Sequence, residues 1–234
     1  MNSESKRFWK GTETVSAGMI SSLAIFSALL SGVIFLIRPK VRKYKKIDLK
    51  IFDIIKQHTN ERNTKIMSGV TFFGTHNFFI PANLFLIFYF LVIKKRSWFS
   101  IRIASIALSS LGMMFLLKAL FHRKRPADPL GKASGLSFPS GHAIMSVTFY
   151  GLLIYIISET IKDKKVKLPL IISLVIFIQL IGFSRVYLRA HYASDVAVGY
   201  ITGLLWLLTS LEVLKKIEEH NKQSAAAISW SPAI

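Results

Sequence analysis

Residues 139–158 read PSGHAIMSVTFYGLLIYIIS, a Pro-Ser-Gly-His tetrapeptide followed by a run without a single charged side chain. About 20 such residues, wound as a helix, cross the hydrocarbon core of a bilayer. Working outward, the same pattern recurs. One run lies between Glu13 and Arg38, centred on 20–37. A second is bounded by Lys65 and Lys94, with 78–93 its most apolar part. A third covers 98–121, interrupted by Arg102 and Lys118 near its ends. Two shorter runs, 168–184 and 196–211, follow the quoted stretch and can be lengthened by flanking Lys, Arg and Tyr that snorkel to the interface. A single run would also suit a buried helix of a soluble protein, but six in succession predict an all-α, polytopic membrane bundle with six transmembrane helices.

Composition agrees. The 234 residues are 52% hydrophobic and only 18% charged, yet Lys and Arg exceed Asp and Glu by 31 to 12, for a net charge of +19. Nucleic-acid binding would account for the basicity but not for the apolar bulk, so no nucleic-acid partner is expected. With no cysteine, disulfide scaffolds, zinc knuckles, iron–sulfur sites and thiol nucleophiles are excluded. Lys6, Arg7 and Lys10 precede the first run, as in a signal peptide. Its length and the lack of a small-x-small site point instead to an uncleaved anchor. Residues 1–220 read as one domain, with a motif-bearing core at 118–195, and 221–234 as a flexible tail.

Between the first two runs, Ile47, Ile51, Ile54 and Ile55 recur at helical spacing with Lys50, Asp53 and Lys56 between them. That predicts an interfacial amphipathic helix on the membrane surface; a packing strut beneath a loop would show the same pattern. Gly74, His76, Asn77 and Pro81 suggest a re-entrant or interfacial approach to the second span, with His76 an ordinary polar group. Lys and Arg divide almost evenly between the two sides of a six-span layout, so the positive-inside rule does not choose an orientation.

Three polar segments fall on one membrane side in that layout: Lys118 to Arg125-Pro126, Pro139 to His142, and Ser184-Arg185 to Asp195. Lys118 belongs to the last turns of an apolar helix, where an ammonium is costly and therefore a functional candidate. Arg125 and Arg185 offer planar forks suited to phosphate oxygens. Pro139 suits a first helical turn, after which Ser140 and Gly141 present a hydroxyl and unobstructed backbone N–H groups at a helix N-terminus. His191 and Asp195 are four apart, hence on one face if the sixth helix begins there. The carboxylate would hold one imidazole nitrogen and leave the other to attack. His142, from another helix, is placed to protonate a leaving oxygen. Arg123, Lys124, Lys132 and Arg189 add positive potential for a second phosphate or an anionic headgroup. Taken singly, each feature has a structural reading: a lipid-attracting basic cluster, a helix start, a His–Asp contact. Their joint occurrence on one face points to phosphoryl chemistry.

The pattern Lys-x6-Arg-Pro, Pro-Ser-Gly-His and Ser-Arg-x5-His-x3-Asp resembles the signature of the phosphatidic acid phosphatase type 2 family, whose superfamily includes the vanadium haloperoxidases. Lys118, Arg125, Pro126, residues 139–142, Ser184, Arg185, His191 and Asp195 match it without a gap. The resemblance implies a lipid phosphatase of the membrane, hydrolysing a phosphomonoester or diphosphate of the isoprenyl diphosphate, phosphatidylglycerophosphate or phosphatidic acid type. It implies a phosphohistidine on His191 supported by Asp195, with His142 as acid and Lys118, Arg125, Ser140, Gly141 and Arg185 as phosphate ligands. It also implies no metal or other cofactor, and a bacterial plasma-membrane location with the site facing away from the cytoplasm. A vanadate-dependent haloperoxidase using the same residues, and a membrane protein that only binds anionic lipid, are the rival readings. A transporter would call for repeats or paired discontinuous helices, which the sequence lacks. Oligomeric state is not written in the sequence.

Overall fold

The structure, a computed structural model, describes residues 41–131 and 133–229, together with scattered positions between 20 and 35. Most of the first expected span and Lys132 lie outside the described residues. The described residues form helices and no strands: α1 (Val41–Lys56), α2 (Glu61–Phe72), α3 (His76–Phe88) with a π-helical continuation (Tyr89–Ile93), α4 (Ser97–Phe121), α5 (Gly141–Thr160), α6 (Lys164–Tyr187) and α7 (Ala193–Ser229). Among the described residues, five segments are long and apolar enough to cross a membrane: Glu61–Ile93, α4, α5, α6 and Ala193–Ser224. The chain divides into two compact units, one made of 34–207 and the other of 1–33 with 208–234. Every functional candidate lies in the first.

Within that unit, side chains are partitioned as lipid solvation demands. Leu108 and Phe115 of α4 are 71% and 60% exposed, whereas Ser110, Ser146, Thr148 and Thr202 are buried. Apolar residues outside and small polar ones between helices are what a hydrocarbon solvent favours, and the protein is an integral membrane protein. The two short runs of the sequence become α6 and α7 because Lys164, Lys165 and Tyr187 extend the first, and 193–195 the second.

α5 is the central helix, packed against α4 and α6. Its contact with α7 depends on Gly199-x3-Gly203. A Cβ at Gly199 would stand 2.8 Å from the Ala143 Cβ and 2.9 Å from the Ser140 carbonyl oxygen; one at Gly203 would stand 3.0 Å from the Ile144 carbonyl oxygen. Small residues at this spacing let two backbones approach closely. The approach carries the start of α7 to the start of α5.

α2 and α3 break at 73–75, where Tyr150 Oη donates to the Phe73 carbonyl at 2.9 Å. At Gly74 a Cβ would meet Ile181 Cγ2 at 2.6 Å and His142 Cδ2 at 2.8 Å, so only glycine lets this turn lie on the histidine ring. α1 packs through Phe52 and Ile55 onto Val186, Tyr187, Leu188 and Val196, while Ile47 and Ile54 are exposed. Its inward face is therefore centred on Asp48, Phe52 and Ile55, a quarter-turn from the isoleucine stripe read in the sequence.

Gly199→Ala is expected to destabilise the protein by about 1–3 kcal/mol, because rigid backbone opposes the added methyl. Gly69→Ala, with open space around it, should be neutral or stabilising by up to about 1 kcal/mol. Denaturant unfolding of both variants in one detergent measures the difference.

Candidate active site

α4 and α6 end, and α5 and α7 begin, on one side of the bundle, and the three polar segments meet there. α4 terminates at His122, which takes a left-handed conformation (φ 46°) and donates its N–H to the Lys118 carbonyl. The following loop is held from several directions. Lys118 Nζ donates to the Leu136 carbonyl at 2.6 Å, and Ser137 N–H donates to the Arg123 carbonyl at 2.8 Å. Arg125 Nε donates to the carbonyls of Ser134 (2.9 Å) and Gly135 (3.1 Å).

Arg125 also reaches the chain reversal between α6 and α7. Its Nη1 donates to the Ala190 carbonyl at 2.6 Å and lies 3.1 Å from His191 Nε2. These bonds leave the two N–H groups of Nη2 for another acceptor. The reversal is built on Arg189 in a left-handed conformation (φ 52°), with the N–H groups of Ala190 and His191 both donating to the Arg185 carbonyl at 3.0 and 3.1 Å.

α7 starts at Ala193, so His191 precedes the helix rather than sharing a helical face with Asp195. The two are brought together by a capping arrangement instead. Asp195, third residue of the helix, accepts the Tyr192 N–H at 3.0 Å, the reach-back half of a capping box. Its Oδ2 then lies 3.6 Å from His191 Nδ1. That nitrogen has no hydrogen bond and faces the carboxylate, while Nε2 faces Arg125. A guanidinium can only donate, so the lone pair sits on Nε2 and the proton on Nδ1.

Ser140 is the N-cap of α5, its Oγ accepting the Ala143 N–H at 3.5 Å. Its own N–H donates to the Asp195 backbone carbonyl at 3.1 Å. That N–H is therefore not a free donor, and the unpaired N–H groups of the helix start are those of Gly141 and His142. Pro139 lies before the cap and outside the first turn where the sequence placed it. A Cβ at Gly141 would meet Met114 Sδ at 2.6 Å, so a larger residue there would have to displace that flexible side chain of α4. Arg185 is buried and donates from Nη1 to Thr71 Oγ1 at 2.8 Å. His142 Nε2 is buried without a hydrogen-bond partner. Arg185, His191, Arg125 and Lys118 all stand within electrostatic range of the His142 ring. The eight candidates thus converge, with three basic side chains around two imidazoles.

Several functional neighbours were not anticipated. Ser137 Oγ donates to Asp195 Oδ2 in a very short hydrogen bond, and Thr71 orients Arg185. Arg123, expected as spare positive potential, is instead bound between Asp195 and Asp48 and is unavailable to a substrate phosphate. The Gly199-x3-Gly203 spacing and the capping position of Asp195 were the signals in the sequence that bear on this arrangement. Asp48 and Thr71 carried none.

Two cavities border the region. One of about 220 Å³ is lined by Phe52, Lys56, Ala127, Arg189 and Tyr192 among others. The other, about 370 Å³ and largely apolar, is lined by Ile54, Ile55, Met67, Phe183 and Tyr187 with two polar residues.

The model of the PAP2 superfamily matches residues 98–219. Phosphatidylglycerophosphatase B of Bacillus subtilis strain 168 is 31% identical over 60% of this chain and 70% of its own length. The decaprenylphosphoryl-5-phosphoribose phosphatase of Mycobacterium tuberculosis is 33% identical over 47% of this chain and 57% of its own length. Among solved structures, a transmembrane PAP2 type phosphatidylglycerolphosphate phosphatase from Bacillus subtilis aligns with a TM-score of 0.68 at 24% identity, covering 86% of this chain and 96% of that one. Aquifex aeolicus LpxE aligns with a TM-score of 0.56 at 25% identity, over 70% and 94% respectively.

Burial pushes the His191 imidazole down to about 4. The Arg125 charge adds to the shift, and contact with Asp195 opposes it. The ring is accordingly neutral at physiological pH. A histidine whose folded value is depressed stabilises the fold above its unfolded value near 6.5, and that contribution is lost as pH falls through 6.5 towards 4. Nitrogen-15 NMR of histidine-labelled protein, assigned with His191→Ala, should show this ring unprotonated down to about pH 5. Titration at 6.5 or above would contradict the assignment.

Proposed function

The chain belongs to the PAP2 superfamily and is a membrane phosphatase, and we propose that it hydrolyses a lipid phosphomonoester or diphosphate through a phosphohistidine on His191, without a metal. The observation that carries this reading is the orientation of His191, whose Nε2 faces the Arg125 cation while Nδ1 faces Asp195.

In the proposed reaction the Nε2 lone pair attacks phosphorus. Lys118, Arg125, Arg185, Ser140 Oγ and the backbone N–H groups of Gly141 and His142 hold the non-bridging oxygens. These donors are fixed before substrate arrives, and preorganised charge of this kind is the main source of catalysis in phosphoryl transfer. As the N–P bond forms, the ring becomes cationic beside Asp195. The bridging P–O bond breaks and the leaving oxygen takes a proton from His142. His142 then accepts a proton from water, whose oxygen displaces His191 and releases phosphate. Three cations supply the charge neutralisation that a metal supplies elsewhere, which is why the proposed chemistry needs none.

The recess lined by Lys56 and Arg189, with Asp53 the one acid in its lining, carries a net positive charge on the headgroup side, and the separate apolar cavity suits a lipid tail. Of the two, only the basic pair bears on the headgroup, and a second phosphate beside it favours a phosphatidylglycerophosphate or isoprenyl diphosphate over phosphatidic acid. The proposal includes a sixth span at 20–37, α1 lying at the membrane interface, and the site opening on the extracytoplasmic side of a bacterial plasma membrane.

Purified protein in detergent is expected to release inorganic phosphate from a panel of lipid phosphates and diphosphates. His191→Ala should lower the rate by at least about 10³-fold, as loss of a nucleophile does. Vanadate should inhibit and EDTA should not; dependence on Mg²⁺ would overturn the metal-free mechanism. Because the chain has no cysteine, Ala127→Cys offers a single label site. A membrane-impermeant maleimide should react with it in intact cells, and reaction only after lysis would reverse the proposed orientation.

A further inference from the structure

Behind the His191–Asp195 pair lies a second charged cluster that the reaction as written does not use. Arg123 Nη1 donates to Asp195 Oδ1 at 2.5 Å and to Ser194 Oγ at 2.8 Å, and Nη2 donates to Asp48 Oδ2 at 2.9 Å. Asp48 also accepts from Ser194, through Oδ1 from the N–H at 3.0 Å and through Oδ2 from the hydroxyl at 2.7 Å. The guanidinium lies 4.1 Å from the centre of the Tyr192 ring. Asp48 is 1% exposed and Asp195 fully buried. One cation is thus shared between two carboxylates in a site nearly closed to water.

The charge count matters. Removing charges from water is costly, and a pair placed only to fasten α7 would need one acid and one base. Here the group of three carries one net negative charge, and the Oδ2 edge of Asp195, away from Arg123, faces His191. An Arg123 left to Asp195 alone would neutralise it and weaken its hold on a ring that becomes cationic during attack. Asp48, by taking Nη2, divides the guanidinium charge and preserves the negative charge at Asp195. It also satisfies the Ser194 N–H, one of the orphan donors of the α7 start, so the first turn carrying Asp195 is held in place.

We propose that Asp48, from the helix preceding the second span, is a positioning residue for phosphoryl transfer, acting through Arg123 to keep Asp195 negatively charged and aimed at His191. The role rests on the phosphatase reading above. It concerns transition-state charge rather than substrate contact, so it belongs in kcat and not in KM.

The test compares phosphate release by the purified full-length protein, wild type and His191→Ala, with Asp48→Asn, Asp48→Glu, Arg123→Gln and Asp48→Asn/Arg123→Gln. Turnover by the wild type and its loss in His191→Ala decide the phosphatase reading separately. Asp48→Asn should lower kcat by about 10–100-fold, the range typical of residues that orient a reacting group from behind. KM should stay within about threefold, and Asp48→Glu should recover most of the rate. The double variant again leaves one net negative charge on Asp195, so its kcat should exceed that of Asp48→Asn alone. A purely structural brace predicts the reverse, since a second cut would weaken it further. Wild-type kcat in Asp48→Asn, or a double variant no faster than Asp48→Asn, overturns the proposal. Should Asp48→Asn fold poorly, the double variant and Asp48→Glu carry the test, and kcat in both as low as in His191→Ala overturns it equally.

Discussion

Asp195 is the point through which the separate parts of the site are held together. Its side chain accepts from Arg123, Ser137 and the Tyr192 backbone, and its own carbonyl accepts the Ser140 N–H. It therefore ties the start of α7 to the start of α5, to the loop after α4 and, through Arg123, to α1. A buried carboxylate needs several donors to offset its lost hydration. Meeting that need has drawn four stretches of chain to one place at one end of the bundle.

The bundle makes this possible by close packing. Gly199 and Gly203 bring α7 against α5, and Gly74 rests on the His142 ring. Without these contacts His142 on α5 and the turn that carries His191 would stand a side chain further apart. In a hydrocarbon solvent helix association gains little from burying leucine, so small residues and interhelical hydrogen bonds decide which faces meet. The Tyr150 hydrogen bond to the Phe73 carbonyl is one such bond, and it sets the height of the break opposite His142.

Much of this was legible in the sequence. Charge-free runs located α4 and α5 almost to the residue, because in a membrane the absence of charge is itself the determinant of a span. The eight candidate residues were found as motifs and converge in space. The geometry within the motifs was less visible. His191 and Asp195 meet through a capping turn rather than along a helical face, since the left-handed Arg189 reverses the chain before α7 begins. Arg123 read as a spare cation, because its partner Asp48 lies 75 residues away. Asp48 looked like a polar interruption in an amphipathic stripe, and its inward direction depends on how α1 docks through Phe52 and Ile55. Long-range pairing of single charges leaves no periodic trace.

In the proposed reaction Lys118, Arg125 and Arg185 gather around the phosphate, whereas Arg123 is held by two acids. Cations that face the proposed substrate are held by neutral carbonyls and a hydroxyl, which orient them without cancelling their charge. The cation behind the pair is held by carboxylates, which do cancel it. This difference in partner separates the charge proposed to bind phosphate from the charge that supports Asp195. The account is tested most directly by rapid quench of the enzyme with a phosphorus-32-labelled lipid phosphate, alkaline denaturation and mapping of the modified peptide. It predicts an alkali-stable, acid-labile phosphoryl group on Nε2 of His191. A turnover that leaves no phosphoryl group on the protein, or one carried by a different side chain, would contradict it.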